Sequence, residues 1–150
     1  MKKVLWILIA VLIIIQFITV DTTNPPVQKN KDFLEMTKAP SEIGHILKNA
    51  CYDCHSDETK YPWYFNVAPV SWILKNHVNE ARRHVNFSTW GNYTTERQAK
   101  KLDHCSEMIN EGEMPLEAYI MMHSEAKLNE VQKKELTDYF DSTKARIAIK

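Results

Sequence analysis

Apolar residues are concentrated at the N-terminus of the chain. Residues 4–20 form an apolar run that only Gln16 and Thr19 interrupt, and two lysines precede it. Such a run is near the lower limit for a helix that crosses a bilayer, and no small-residue cleavage site follows it. The pattern predicts an uncleaved signal anchor over residues 1–20, with its lysines on the cytoplasmic side. A cleaved signal peptide is the alternative.

A polar stretch separates this run from the rest of the chain. Residues 21–39 begin without an apolar period and contain Pro25-Pro26, a composition that favours a partly extended tether. The domain is expected to start near Phe33 or Pro40, and residues 40–150 are long enough for one small domain.

This domain has the apolar spacing of helices and no alternating stretch of strand length. The start and stop signals predict four helices. They cover Ser41–His55, a segment from Pro69 to before Asn86, a segment from a capping-box pattern at Thr95 to Gly112, and a segment that begins at Asn129. The predicted fold class is mainly α, a cytochrome c-like bundle of about four helices that follows a membrane helix.

Charge excludes one broad class of function. The chain has 19 basic and 19 acidic residues, so it lacks the positive excess with which many proteins bind nucleic acid. No nucleic-acid partner is expected.

One motif carries the chemistry, namely Cys51-Tyr52-Asp53-Cys54-His55. C-x-x-C-H is the attachment signature of c-type haem, because two cysteines at this spacing reach two vinyl groups of one porphyrin. The histidine that follows reaches the iron. A zinc site would need a second pair of ligands, and a thioredoxin-like pair would need flanking strands. The motif predicts one haem c bound through Cys51 and Cys54, with His55 as an iron ligand.

The sixth iron ligand is predicted to be Met114, in a loop between the third and fourth predicted helices. A thioether is soft and neutral and raises the reduction potential relative to a second histidine. Pro115 follows it and has no N–H to compete for the ligand. His77, on the second predicted helix, is the alternative ligand. Cys105 lies outside the motif and is expected to be a buried, inert cysteine.

These residues resemble the cytochrome c family, and more specifically the small bacterial haem-binding domain family. The resemblance covers about residues 40–142. It is carried by Cys51–His55, Tyr61–Tyr64, Pro69–Trp72, His77-Val78, Asn86–Ser88 and Gly112–Leu116.

The resemblance implies further roles around the haem. The backbone carbonyl of Pro62 would accept the second ring N–H of His55, and Trp63, Tyr64 and Trp72 would wall the haem. Two contacts away from the iron are also implied. Arg82 or Arg83 would pair with a propionate, and Gly44 would meet Tyr139 where the first and last helices cross.

The expected function is single-electron transfer by a tethered monohaem cytochrome, and the protein is not expected to be an enzyme. The anchor places it in the cell inner membrane as a single-pass protein, with the haem domain in the periplasm. Its partners would be redox proteins that dock transiently. A haem-based sensor or small haem enzyme with an open sixth site is the alternative, and a fixed subunit of a membrane complex is a third possibility.

Overall fold

The computed structural model describes residues 1–149, and within that range the chain forms eight α-helices and no strand. The helices are α1 (Lys2–Ile14), α2 (Phe33–Thr37), α3 (Ser41–Ala50), α4 (Tyr52–His55), α5 (Val70–His84), α6 (Thr95–Asn110), α7 (Glu117–Ile120) and α8 (Glu130–Ala148). Short 3₁₀ segments lie at Ile15–Phe17, Lys29–Lys31, Trp63–Asn66, Phe87–Asn92 and Ser124–Ala126. The mainly helical fold class is confirmed.

The predicted helix boundaries hold at α5, whose N-cap is Pro69, and at α8, and they shift at the other two predicted helices. Asn129 caps α8 in a full capping box with Gln132. The cap of α6 is Thr94, whose hydroxyl accepts from the Arg97 N–H, one residue earlier than predicted. The helix predicted over Ser41–His55 is interrupted at Cys51, where φ is −126°.

The core lies where α6 packs along α8 and where α3 contacts α8. Three leucines, Leu47, Leu102 and Leu136, are buried at its centre. An aromatic group made of Phe33, Tyr52, Phe87, Trp90 and Phe140 fills the space beside them. The side chain of Tyr52, on the short helix α4, is buried in this core and holds α4 in place.

The predicted meeting of Gly44 and Tyr139 is wrong. A Cβ added at Gly44 would meet no atom of residues 1–149 within 4 Å, so no partner helix approaches the glycine closely. Tyr139 is held elsewhere, because its hydroxyl donates to Thr37 Oγ1 at 2.8 Å.

The predicted tether 21–39 is partly built into the domain. Phe33 is 0% exposed in the aromatic core, and Asp32 is buried beside it. Further back, the Asn24 side chain donates to the Thr59 carbonyl at 2.8 Å. The folded domain therefore begins before residue 40, because these side chains supply part of its core.

The N-terminal apolar run does not form one continuous helix. α1 ends at Ile14, and the Gln16 side chain bonds both the N–H and the carbonyl of Ala68 at 3.0 Å. Within residues 1–149, no helix combines the length and apolar character that crossing a membrane requires. The predicted spanning helix is thus not found.

Candidate cofactor site

A cavity of about 630 Å³ lies between α4, α5, α6 and the segment that contains α7. Its size is that of a site for a sizeable organic ligand. Predicted site residues Cys51, Cys54, His55 and Met114 all line it. Its apolar wall includes Ala50, Ala81, Val85, Phe87, Ile109, Leu116, Leu128 and Phe140.

The two cysteines of the motif flank the turn where α3 ends and α4 begins. Cys51 interrupts the helical path, so that Cys54 and His55 follow on a separate short helix. Burial raises the pKa of the Cys51 thiol, and burial raises that of Cys54 to about 11. Both thiols therefore keep their protons near neutral pH.

His55 has a defined tautomer. Its Nδ1 lies 3.0 Å from the Ala81 carbonyl oxygen and 3.1 Å from that of Val85. Carbonyls only accept hydrogen bonds, so Nδ1 carries the proton and donates it. Burial lowers the pKa of the ring, which keeps the imidazole neutral. Nε2 is left with a free lone pair, the form in which histidine binds a metal ion.

The predicted hydrogen bond from His55 to Pro62 is wrong. The Pro62 carbonyl accepts the Phe65 N–H at 2.9 Å in the 3₁₀ segment that follows it. Pro62 lies outside the main cavity and lines a smaller one of about 210 Å³. The imidazole therefore donates to the Ala81 and Val85 carbonyls and not to that of Pro62.

Met114 follows α6 in a loop whose backbone is held in place. Gly112 turns the chain with φ of +76°, a conformation that glycine adopts without strain. The N–H groups of Glu113 and Met114 then both donate to the Met108 carbonyl, at 2.9 and 3.1 Å. The alternative ligand His77 lines the same cavity, so the choice of sixth ligand stays a prediction.

The two predicted tryptophans lie outside this cavity. Trp63 is 72% exposed, and the indole N–H of Trp72 donates to the Ile18 carbonyl at 3.0 Å. The structure does not bring either ring together with the motif residues, and Trp72 instead holds the N-terminal segment.

One of the two arginines predicted to meet a propionate is bound elsewhere. Arg82 donates to the Ser56 carbonyl at 2.8 Å and to Thr59 Oγ1 at 3.0 Å. Arg83 pairs with Glu80, which lines the cavity, so its role at a propionate stays a prediction. Basic side chains do line the cavity, but they are Lys100 and Lys101 of α6 with three histidines, His77, His84 and His104.

Cys105 lines the cavity from α6 and packs against the core. Burial raises the pKa of its thiol to about 12. A thiol that stays protonated is a poor nucleophile, in keeping with the predicted inert cysteine.

Two polar residues of the site, Asp53 and Tyr119, were missed from the sequence, and Tyr64, predicted to wall the haem, lies outside the cavity. Tyr119 donates to Asp53 Oδ2 at 2.7 Å, and the Tyr64 hydroxyl lies 2.6 Å from His123 Nε2. Asp53 could have been noticed, because it stands between the two cysteines. The partners are far apart in sequence, and no local pattern connects them.

Comparison with known families agrees with this site. The family model for the haem-binding domain matches residues 10–142, so the chain belongs to the haem-binding domain family. The match includes the predicted tether, which the structure also builds into the domain. No curated protein and no solved structure gives a match.

The residues present fit a haem. The cavity is mainly apolar, the His55 imidazole is neutral with one nitrogen free, and basic side chains are available for carboxylates. Family membership and cavity chemistry thus point to the same cofactor.

Proposed function

We propose that the protein is a monohaem c-type cytochrome that transfers single electrons. The observation that carries the proposal is the fixed His55 imidazole in a cavity that it shares with Cys51, Cys54 and Met114. When bound, haem supplies reversible one-electron chemistry at its iron.

The protein residues have distinct roles in this proposal. Cys51 and Cys54 would hold the haem covalently, each S–H adding across a vinyl C=C to give a thioether without a leaving group. His55 would bind the iron through Nε2, and its bonds to the Ala81 and Val85 carbonyls orient the ring and increase its basicity. The apolar wall keeps water away from the site, which limits the reorganisation that accompanies a change in charge.

Met114 is the proposed sixth ligand. Its side chain lines the cavity, and the Met108 carbonyl fixes its backbone. With His55 and Met114 both bound, the iron has no vacant position for a substrate, which favours electron transfer over enzyme or sensor function. Redox proteins would then dock transiently beside the cavity.

We also propose that the apolar N-terminal segment attaches the domain to the inner membrane, with the domain in the periplasm. The apolar side chains of α1 are exposed rather than packed on the core. Covalent haem attachment takes place outside the cytoplasm, which agrees with the two lysines at the start of the chain.

Carbon monoxide binding tests the proposal. The protein is produced with haem c maturation and reduced, and its visible spectrum is followed during addition of the gas. The wild type should keep its spectrum, whereas Met114→Ala should bind carbon monoxide. Met121→Ala is the control, since Met121 is 81% exposed and lies outside the cavity.

Three outcomes are informative. Carbon monoxide binding by the wild type would contradict a saturated iron and favour the sensor or enzyme alternative. If Met114→Ala stays inert, Met114 is not the ligand, and His77→Ala becomes the next variant. Loss of haem from the denatured wild type would contradict covalent attachment.

A further inference from the structure

The segment that follows Met114 is held by polar contacts more than by apolar packing. α7 has only four residues and buries none of them. Leu116, Met121 and Met122 on either side of it are exposed. The chain returns to the core only at Ala126 and Leu128.

Two hydrogen bonds fasten this segment to the region of the C-x-x-C-H motif. The Tyr119 hydroxyl donates to Asp53 Oδ2 at 2.7 Å, and Asp53 Oδ1 accepts the Lys60 N–H at 3.3 Å. The Tyr64 hydroxyl and His123 Nε2 are 2.6 Å apart. The His123 ring also stacks on Tyr119, with centroids 4.3 Å apart and planes inclined by 17°.

Asp53 therefore links the C-x-x-C-H motif to the segment that follows Met114. It lies on α4 between Cys51 and Cys54, and its partner Tyr119 is five residues after Met114. The Met108 carbonyl holds the other end of the Met114 segment. The segment thus has one anchor on α6 and a second on the motif itself.

We propose that Asp53 and Tyr119 are positioning residues, whose hydrogen bond keeps Met114 at the iron. The inference rests on the proposed function, since it takes Met114 as the sixth ligand. Without the Asp53–Tyr119 bond the segment loses its direct tie to the motif, and the next contact after the Met108 carbonyl is that of His123 with Tyr64. Met114 is then held less firmly and leaves the iron more often. The Tyr119 phenol remains a donor, because burial and the Asp53 carboxylate raise its pKa.

The test is Tyr119→Phe in the full haem-loaded chain. The substitution removes the hydroxyl and keeps the ring that lines the cavity and stacks on His123. A hydrogen bond to a carboxylate is stronger than one between neutral groups. We expect the rate of carbon monoxide binding to the reduced protein to rise about 10- to 100-fold. The reduction potential should fall as methionine ligation weakens.

Tyr139→Phe is the matched control. It also removes one tyrosine hydroxyl bond, from Tyr139 to Thr37, but that bond lies between α8 and α2 and away from the cavity. It should lower the urea midpoint and leave carbon monoxide binding unchanged. A general loosening of the fold would instead raise binding in both variants, and that result would overturn the proposal.

A pair of Asp53 variants covers the case in which Tyr119→Phe does not fold. Asp53→Asn keeps an oxygen that accepts the phenol proton, so it should retain slow binding, whereas Asp53→Ala should bind quickly. Equal rates in Asp53→Asn and Asp53→Ala would overturn the positioning role.

Different experimental results would contradict the positioning role of Tyr119 and the proposed function. If Met114→Ala opens the iron and Tyr119→Phe behaves as wild type, only the positioning role is wrong. If Met114→Ala leaves carbon monoxide binding unchanged, Met114 is not the ligand and both inferences are overturned.

Discussion

The hydrogen bond between Asp32 and Tyr52 connects the start of the folded domain to the C-x-x-C-H motif. The Tyr52 hydroxyl donates to both Asp32 carboxylate oxygens, at 3.0 and 3.1 Å, and Tyr52 is 1% exposed. Asp32 Oδ1 also accepts the Leu34 N–H at 2.9 Å as the N-cap of α2. Replacing Asp32 therefore removes both the N-cap of α2 and the acceptor for the Tyr52 hydroxyl.

The cost of Asp32→Ala follows from these contacts. Loss of the N-cap costs about 1 kcal/mol. A buried Tyr52 hydroxyl without an acceptor costs a further ~1–3 kcal/mol. The expected decrease in the free energy of unfolding is therefore about 2–4 kcal/mol, a large part of the total for a small domain.

Asp32→Asn should behave differently, and its effect should depend on pH. Burial raises the pKa of Asp32, so the folded state favours the protonated carboxyl. The stability from this group is fully present below the unfolded-state pKa and is lost as pH rises through the folded-state pKa. Asparagine keeps an acceptor for Tyr52 and cannot ionise. Relative to wild type, Asp32→Asn should therefore become more stable as the pH is raised.

Urea unfolding of the haem-loaded protein, followed by far-ultraviolet circular dichroism, measures both effects. The exposed Asp21→Ala is the control in the same N-terminal segment and should change stability by less than about 0.5 kcal/mol. An Asp32→Ala variant as stable as this control would refute the assigned role of the bond. A difference between Asp32→Asn and wild type that does not change with pH would refute the sign of the pKa shift.

Three further predictions concern the motif, the Met114 loop and the N-terminus. A Cys51→Ser, Cys54→Ser double variant should release haem on acidic acetone extraction, whereas the wild type should retain it; release from both would contradict covalent attachment. Gly112→Ala should lower the free energy of unfolding by about 1 kcal/mol in urea titration, because Gly112 has φ of +76°, where a side chain is strained. An unchanged urea midpoint would contradict this prediction. A chain that begins at residue 25 behind a cleavable secretion signal should move from the membrane to the periplasmic fraction, and wild type that is already free of the membrane would contradict the proposed anchor.

Local sequence signals predicted the helices well because their causes are local. The capping box at Asn129 and the stop at Gly112 involve residues within one turn of each other, and both are found. The interruption at Cys51 was missed because the apolar period continues through it. The sequence left the start of the domain open between Phe33 and Pro40, because nothing in the polar residues before Phe33 indicates that its ring is buried.

The partner of His55 shows why the site could be predicted only in part. Pro62 is seven residues away and was a natural candidate, but its carbonyl is used by Phe65 in a 3₁₀ turn. The acceptors used are 26 and 30 residues away, at the C-terminal end of α5. The Val85 carbonyl lies just past the last helical residue, where a helix leaves carbonyls without intrahelical partners. The Ala81 carbonyl already accepts the Val85 N–H at 2.9 Å and takes the imidazole proton as a second bond. The negative end of the helix dipole also favours a donor here. Only the packing of α4 on α5 brings them to the imidazole.

Tyr52 and Asp53, the two residues between the cysteines of the motif, hold it in place through contacts on opposite sides. Tyr52 points into the core, where it stacks on Phe87 at 5.5 Å and donates to Asp32, 20 residues away in sequence. Asp53 points the other way and accepts from Tyr119, 66 residues away. In the proposed function the chemistry of the cofactor fixes the cysteines and the histidine, so a sequence motif identifies them. This particular fold fixes the two residues between the cysteines, and their replacement should change the rigidity of the site while the proposed covalent attachment of haem persists.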